Sequence, residues 1–438
     1  MKKSRKVVIG VVVGLLGLVA AAPWLVPTSA WRVPVEKAAS EAVGAPVVIG
    51  DLSIAFLPLP HLKLRDLDVG KGALKLSSAR AYPALATLFS TPRHIRNVEL
   101  EKLVVGPLGV ELLHKLAERP SAGPAPVTLG RLHAKDVAIV LAAGPLPVVE
   151  ATVELGEGNL LRTLAVKTAD GKARIDAVPD GEGWKLNLNA TDWQLPLGRP
   201  LKFAELKATG RTEGTRLVLP TIHARLYEGQ VDGNAELDWK KGMRLTGQAN
   251  ATGLAIAPLV TALTLKAALS GKLDASGPFK AQAATPAALA DAINADIAFN
   301  VHDGVLHGVD LASAAKSLFK GGGSGGQTRF DQLTGNVRVA GRAYHLRNVK
   351  VASGVLNAGA NVDINPARQL SGRVDVDLKG TGGLVGVPLA ISGTVGAPVL
   401  MPTKGSLAGA AIGSVLLPGV GTAAGSSIGD KIGKLFGK

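Results

Sequence analysis

The sequence predicts a mainly β protein, an elongated, curled antiparallel β-sheet with a few helices, an N-terminal transmembrane helix ahead of it and a C-terminal glycine-zipper helical hairpin behind it. Three observations carry that prediction. Apolar and polar residues alternate with period two over most of the chain. Residues 7–26 form an uncharged apolar run. Near the C-terminus glycine recurs at every fourth position. The 438 residues include no cysteine, which excludes disulfides, Cys-ligated metals and a cysteine nucleophile. The net charge of +15 includes +4 in the first six residues and +2 in the last nine, so the body is only mildly basic. With 5 Trp, 3 Tyr and 8 Phe and no dense basic stripe, the composition argues against nucleic-acid binding.

The elements follow in chain order. Lys2, Lys3, Arg5 and Lys6 precede the apolar run, and the positive-inside bias puts residues 1–6 in the cytoplasm and the chain after Pro27 outside it. At ~1.5 Å per residue the run 7–26 is long enough to cross a ~30 Å hydrocarbon core. The rival reading is a cleaved signal peptide ending at Ala20-Ala21-Ala22. Pro23 would then follow the cut, and the run continues through Trp24, Leu25 and Val26, which favours an uncleaved single-pass anchor with Trp24 and Trp31 near the outer interface. Residues 27–118 read as strands with helices at 34–43, 82–89 and 108–119. RPSAGPAP at 119–126 is a proline-rich linker, and 127–284 is a β-meander. Residues 285–403 open with a helix capped by Thr285 with Pro286 in its first turn, and another helix at 311–319 runs into the glycine tract 321–326. Asp170-Gly171, Asp180-Gly181, Asp232-Gly233 and Asp303-Gly304 are read as hairpin turns.

The alternation gives each strand one wet and one apolar face. Trp184, Leu186 and Leu188 alternate with Lys185, Asn187 and Asn189; Val337 and Val339, then Leu356, Val362 and Ile364, then Val374, Val376 and Leu378 repeat the pattern. An apolar face needs cover. Few helices are predicted to supply it, and patterning leaves two solutions open: a closed sandwich or barrel, or a curled sheet around an apolar ligand. The scarcity of aromatic rings leans toward the second.

Several segments together resemble the AsmA-like proteins of Gram-negative bacteria, as a short member. They are VVIGDLSI at 47–54, FLPLP at 56–60, LKLRDL at 62–67, DIAFNVHDGVLHGVDL at 296–311, FDQL at 330–333, the strand pair 337–351, residues 354–366 and PLAISGT at 388–394. The resemblance covers about residues 1–110 and 285–403, and the middle third matches only in its β-meander texture. It implies an inner-membrane-anchored protein with its bulk in the periplasm, whose curled sheet forms a hydrophobic groove that moves phospholipid between the inner and outer membranes. It also implies that there are no catalytic residues to carry over and no cofactor. The alternating residues named above, from Trp184 to Leu378, are then candidates to line the groove. The competing reading is a non-enzymatic assembly factor for outer-membrane proteins, with a periplasmic or outer-membrane protein partner.

The C-terminus departs from that family pattern. Gly405, Gly409, Gly413, Gly421, Gly425, Gly429 and Gly433 share one helix face, suited to close helix packing. With a turn at Pro418-Gly419, residues 406–417 and 420–435 read as two short helices of a hairpin that dips into a membrane or self-associates. GGSGG at 322–326 formally fits G-x-S-x-G but follows a helix in a glycine tract, where a linker is the better account. His302 and His307 bracket Asp303-Gly304 and could face each other across a hairpin, yet without a third convergent ligand they make a poor metal site.

Overall fold

The computed structural model describes residues 29–403, apart from 58, 88–91, 110, 113–126, 142–143, 197–199, 263–268, 317–324 and 380–386, together with Gly405. The apolar run 7–26 and all the zipper glycines after Gly405 lie outside the described residues. Among the described residues no helix is long and apolar enough to cross a membrane. The protein is mainly β, and its chain divides into two compact units, Met1–Thr191 with Thr209–Gly214, and Asp192–Ala208 with Thr215–Lys438.

In the first unit the strands are β1 (Val47–Ala55), β2 (His61–Val69), β3 (Leu74–Pro83), β4 (Arg93–Val105), β5 (Val127–Leu141), β6 (Gly144–Pro145), β7 (Val149–Leu155), β8 (Leu161–Thr168), β9 (Ala173–Asp180) and β10 (Gly183–Gln194), the last three residues of which count with the second unit. Successive strands pair antiparallel, except that β4 and β5 are parallel and β7 pairs with β5 past the short β6 hairpin. The parallel step leaves the start of β5 needing partners. Buried Asn159 supplies them, accepting from Leu129 N at 2.7 Å and donating to Val127 O at 2.9 Å.

Helix α1 (Ser29–Val43) packs on β1 and shares one buried core with β1 to β5. Val35, Ala39 and Val43, four apart, form its buried stripe against Ile49, Leu64 and Val98. It extends further back than the expected 34–43, continuing through Pro34 to Ser29. The expected helix at 82–89 is overturned: Tyr82 belongs to β3, and only Leu85–Thr87 forms a 3-10 turn. Buried Ala79 and Ala81 alternate with Arg80 and Tyr82 toward that end, and cross-strand pairing with Asn97 and Ile95 keeps it extended.

The second unit holds β11 (Lys202–Glu213), β12 (Arg216–Leu226), β13 (Gly229–Asp238), β14 (Met243–Ala255), β15 (Leu269–Ala283), β16 (Asn294–His307), β17 (Gln327–Ala340), β18 (Ala343–Ala352), β19 (Leu356–Ile364), β20 (Leu370–Leu378), β21 (Val387–Thr394) and β22 (Ala397–Pro402), with Thr209–Glu213 of β11 counted in the first unit. From β12 onward each strand pairs antiparallel with the next, an open meander whose last strand does not return to the first. Its helices are α2 (Ile256–Ala262), α3 (Pro286–Leu289) and α4 (Leu311–Lys316). Asp310 caps α4, accepting from Ser313 N at 2.9 Å and Ser313 Oγ at 2.7 Å. Thr285 precedes α3 with extended backbone but makes no side-chain cap bond, and that helix lasts one turn.

Two of the four Asp-Gly pairs behave as expected: Asp170-Gly171 and Asp180-Gly181 lie at hairpin ends with both glycines at positive φ. The other two do not. Asp232-Gly233 lies inside β13 and Asp303-Gly304 inside β16. Asp303 has φ 50° in mid-strand, as do Asp66, Lys102, Asp136, Asp192 and Asn348 at similar values. At Asp136 and Asn348 the pairing register shifts, the signature of a bulge that bends its strand. His302 and His307 are therefore on one strand rather than opposed across a turn, and each bonds elsewhere: His302 Nε2 to Asp274 Oδ2 at 2.8 Å, His307 Nε2 with Ser270 Oγ at 3.1 Å.

Candidate functional site

Strand register sorts the sequence-predicted apolar residues into rows. In the second unit one row runs Val301, Leu333, Val351, Ala358, Val376, Val387 across six strands, each residue paired in register with the next. Leu311, Ala314 and Ala315 of α4 and Ile256 of α2 pack on that end, and Leu356 and Val376 are 0% exposed there, with Val374 and Leu378 also buried. These four candidates are therefore packed against protein. At ~1.5–3 kcal/mol for each fully buried aliphatic side chain, they are a substantial part of what holds the unit together.

Further along the same strands and on the same face, the rows change character. Ile297, Val337, Leu346 and Val362 pair in register, and so do Val339, Tyr344, Ile364 and Leu370. All eight are half-buried. The first unit repeats the division. Its β1 to β5 face joins α1 in one buried core, whereas on β7 to β10 the rows Val153, Leu164, Ala177, Leu186 and Val166, Ile175, Leu188 are half-buried or exposed apart from buried Ala177, with Trp184 beside them opposite Pro179. Trp184, Leu186, Leu188, Val337, Val339, Val362 and Ile364 thus share the half-open apolar surfaces of their own units.

Phenylalanine smooths the second unit's surface in a way the sequence did not disclose. Phe279 and Phe299 lie in register opposite Gly247 and Gly335 of the neighbouring strands. A Cβ on Gly335 would stand 2.9 Å from Phe299 Cζ, so the ring lies flat over that strand. Phe330 covers Gly304 in the same manner within the core. The sequence signal was a glycine at an apolar-face position opposite a Phe, legible only once register is known.

The opposite face is polar and carries ion pairs. Asp363 accepts from His345 Nδ1 at 2.6 Å and Arg347 Nη2 at 2.7 Å, and Asp232 bonds His223 Nδ1 at 2.6 Å. The hydrogen bond to His345, then that from Arg347, hold the Asp363 carboxyl below its usual range; His223 and then Gln230 do so for Asp232. In the first unit Glu150 bridges Lys167 and His133, both at 2.8 Å, and the bond from Lys167 lowers its pKa. A shallow concavity of about 750 Å³ on the second unit's polar face is lined by Asp296, Asn336, Arg338, His345 and Arg347 among others, with Arg338 paired to Asp296 at 2.8 Å. Among the described residues no three metal-ligating side chains converge. What the arrangement offers chemically is a ladder of solvated ion pairs on one face and a part-open apolar surface on the other. The former glycine-tract motif, 322–324, lies outside the described residues.

The AsmA family model matches residues 197–344, which supports the AsmA-like assignment. The match spans β11 to β17 and the first residues of β18, taking in much of the middle β-meander as well as the 296–311 and 330–333 motifs. No curated protein and no solved structure matches the chain.

Proposed function

We propose that this AsmA-like protein is a lipid-handling protein of the inner membrane, anchored by residues 7–26 with its bulk in the periplasm, that shields phospholipid acyl chains on its half-open apolar surfaces while head groups stay in water. One observation carries the reading: the apolar face of β16 to β20 passes from fully buried Val376 to half-buried Val362 and Ile364 without a change in residue type. A self-sufficient core would end in polar residues where its cover ends. Here aliphatic residues continue, so a further apolar body completes the packing. At ~0.8 kcal/mol per buried CH₂, a saturated chain laid over these rows recovers part of the cost of leaving the bilayer, which lowers the barrier to its passage through water without any chemical step. The family match adds support, because it falls on this unit.

The test is photo-crosslinking in the full-length protein in its native membranes, with a benzophenone side chain at Ile364, at Val376 or at outward-facing Asn361. Phospholipid adducts are expected at Ile364 and not at the other two positions. Equal lipid yield at Ile364 and Asn361 would sink the proposal, and protein adducts alone at Ile364 would make an assembly scaffold the better reading.

A further inference from the structure

The first unit carries its most exposed apolar side chains at one end. The loop between β1 and β2 presents Phe56, Leu57 and Leu59 at 62%, 85% and 59% exposure. Leu85, also exposed, stands at the same end, because Ala84 N bonds His94 O at 2.8 Å and the His61 ring, at the base of the loop, lies 5.0 Å from that of Tyr82. Loop tips are ordinarily polar, since their backbone must stay solvated. A proline-flanked loop bearing three large apolar groups beside an aromatic pair has the composition of a membrane-interface contact.

The direction of α1 says which surface it meets. Val47 N bonds Ser40 Oγ at 2.9 Å, Ile49 N bonds Glu36 Oε1 at 2.7 Å, and Arg32 Nη1 reaches Gly50 O at 3.4 Å. Helix numbers fall as strand numbers rise, so α1 runs antiparallel to β1 and its N-terminus points toward the loop end. From the Glu36–Ile49 level, Ser29 lies ~10 Å along the helix and Ala55 ~20 Å along the strand. Two residues, Pro27 and Thr28, separate Val26 from Ser29, so the two are at most ~11 Å apart along the chain. That length of chain is enough for a run ending at Val26 to reach the level of the loop. The cation Arg93, first residue of β4, stands at the loop end, as an anionic lipid surface would favour.

We propose that Phe56, Leu57 and Leu59 of the β1–β2 loop, with Leu85, insert into the interface of the bilayer that residues 7–26 are read to cross, giving the first unit a second point of attachment and holding its sheet upright on the membrane. The inference rests on reading 7–26 as an anchor, but not on lipid transfer.

The absence of cysteine makes the test direct. Full-length Leu57→Cys, and Lys75→Cys at the far end of the unit, are labelled with an environment-sensitive nitrobenzoxadiazole probe and reconstituted in vesicles of phosphatidylethanolamine and phosphatidylglycerol. The expected result is blue-shifted emission at position 57, quenched several-fold more strongly than at 75 by lipids bearing a nitroxide near the head group. Emission and quenching alike at both positions, in protein that resists carbonate extraction, overturn the loop contact while the anchor stands. If carbonate strips the protein, the anchor reading fails; immersion of position 57 in neutral buffer would still uphold the loop, and its absence would end both.

Discussion

Val376 and Val362 stand on adjacent strands and the same face of the second unit, one residue type separated by four positions of register, or ~13 Å. The first is fully buried beneath α4, and the second is half-open. Nothing in the alternation distinguishes them. The difference lies in cover: Asp310 caps a helix whose Leu311, Ala314 and Ala315 seal one end of the face. An apolar strand position is thus core or exposed surface according to an element elsewhere in the chain.

Substitutions can break that comparison. The largest effect is expected at Val376→Asp, where a carboxylate without a partner enters a sealed core; a loss beyond ~4 kcal/mol should leave the second unit unfolded by circular dichroism. Leu356→Ala in the same core should cost about 2–5 kcal/mol in denaturant melts. Gly304→Ala forces a methyl into the Phe330 ring and should cost about 1–3 kcal/mol, partly recovered in the Gly304→Ala/Phe330→Leu double variant. By contrast Val362→Asp should cost only about 1 kcal/mol, because its carboxylate can turn to water, while lowering lipid adduct yield at Ile364. If Val362→Asp unfolds the protein as thoroughly as Val376→Asp, the distinction between sealed and open rows collapses.

The smallest effect sharpens the contrast between faces. Asp363 is held below its usual pKa by His345 and Arg347, so its contribution to stability is present above the ordinary carboxylate range, near pH ~4, and is lost as pH falls through the depressed value. An acid titration of stability should be slightly shallower in Asp363→Asn. A half-exposed ion pair keeps that difference small.

The mainly β class and the strands whose alternation is clearest, such as those around Leu186, Val362 and Val376, were legible because side-chain period is a local property. The candidate surface was half legible. The apolar face could be read residue by residue, but Leu356, Val374, Val376 and Leu378 could not be separated from Val362 and Ile364, since burial depends on contacts between distant segments. Turns show the same limit. Asp and Asn tolerate positive φ both at hairpin ends and in bulges, so Asp180-Gly181 and Asp303-Gly304 look alike in sequence, and only pairing tells them apart. Conversely, Tyr227-Glu228 makes a tight hairpin between β12 and β13 with both residues at positive φ, without any of the usual turn residues.

By itself the sequence determined the strand period, the apolar and polar faces, the absence of thiol chemistry and the charge-flanked apolar run near the N-terminus, all fixed by residue identity and local spacing. The tertiary structure alone decided where the sheet is sealed and where it stays open, which aspartates bend strands, and that the β1–β2 loop lies at the end toward which α1 points. Those depend on register and on helix docking, which arise from the sum of many weak long-range contacts and leave no mark in any single window of sequence.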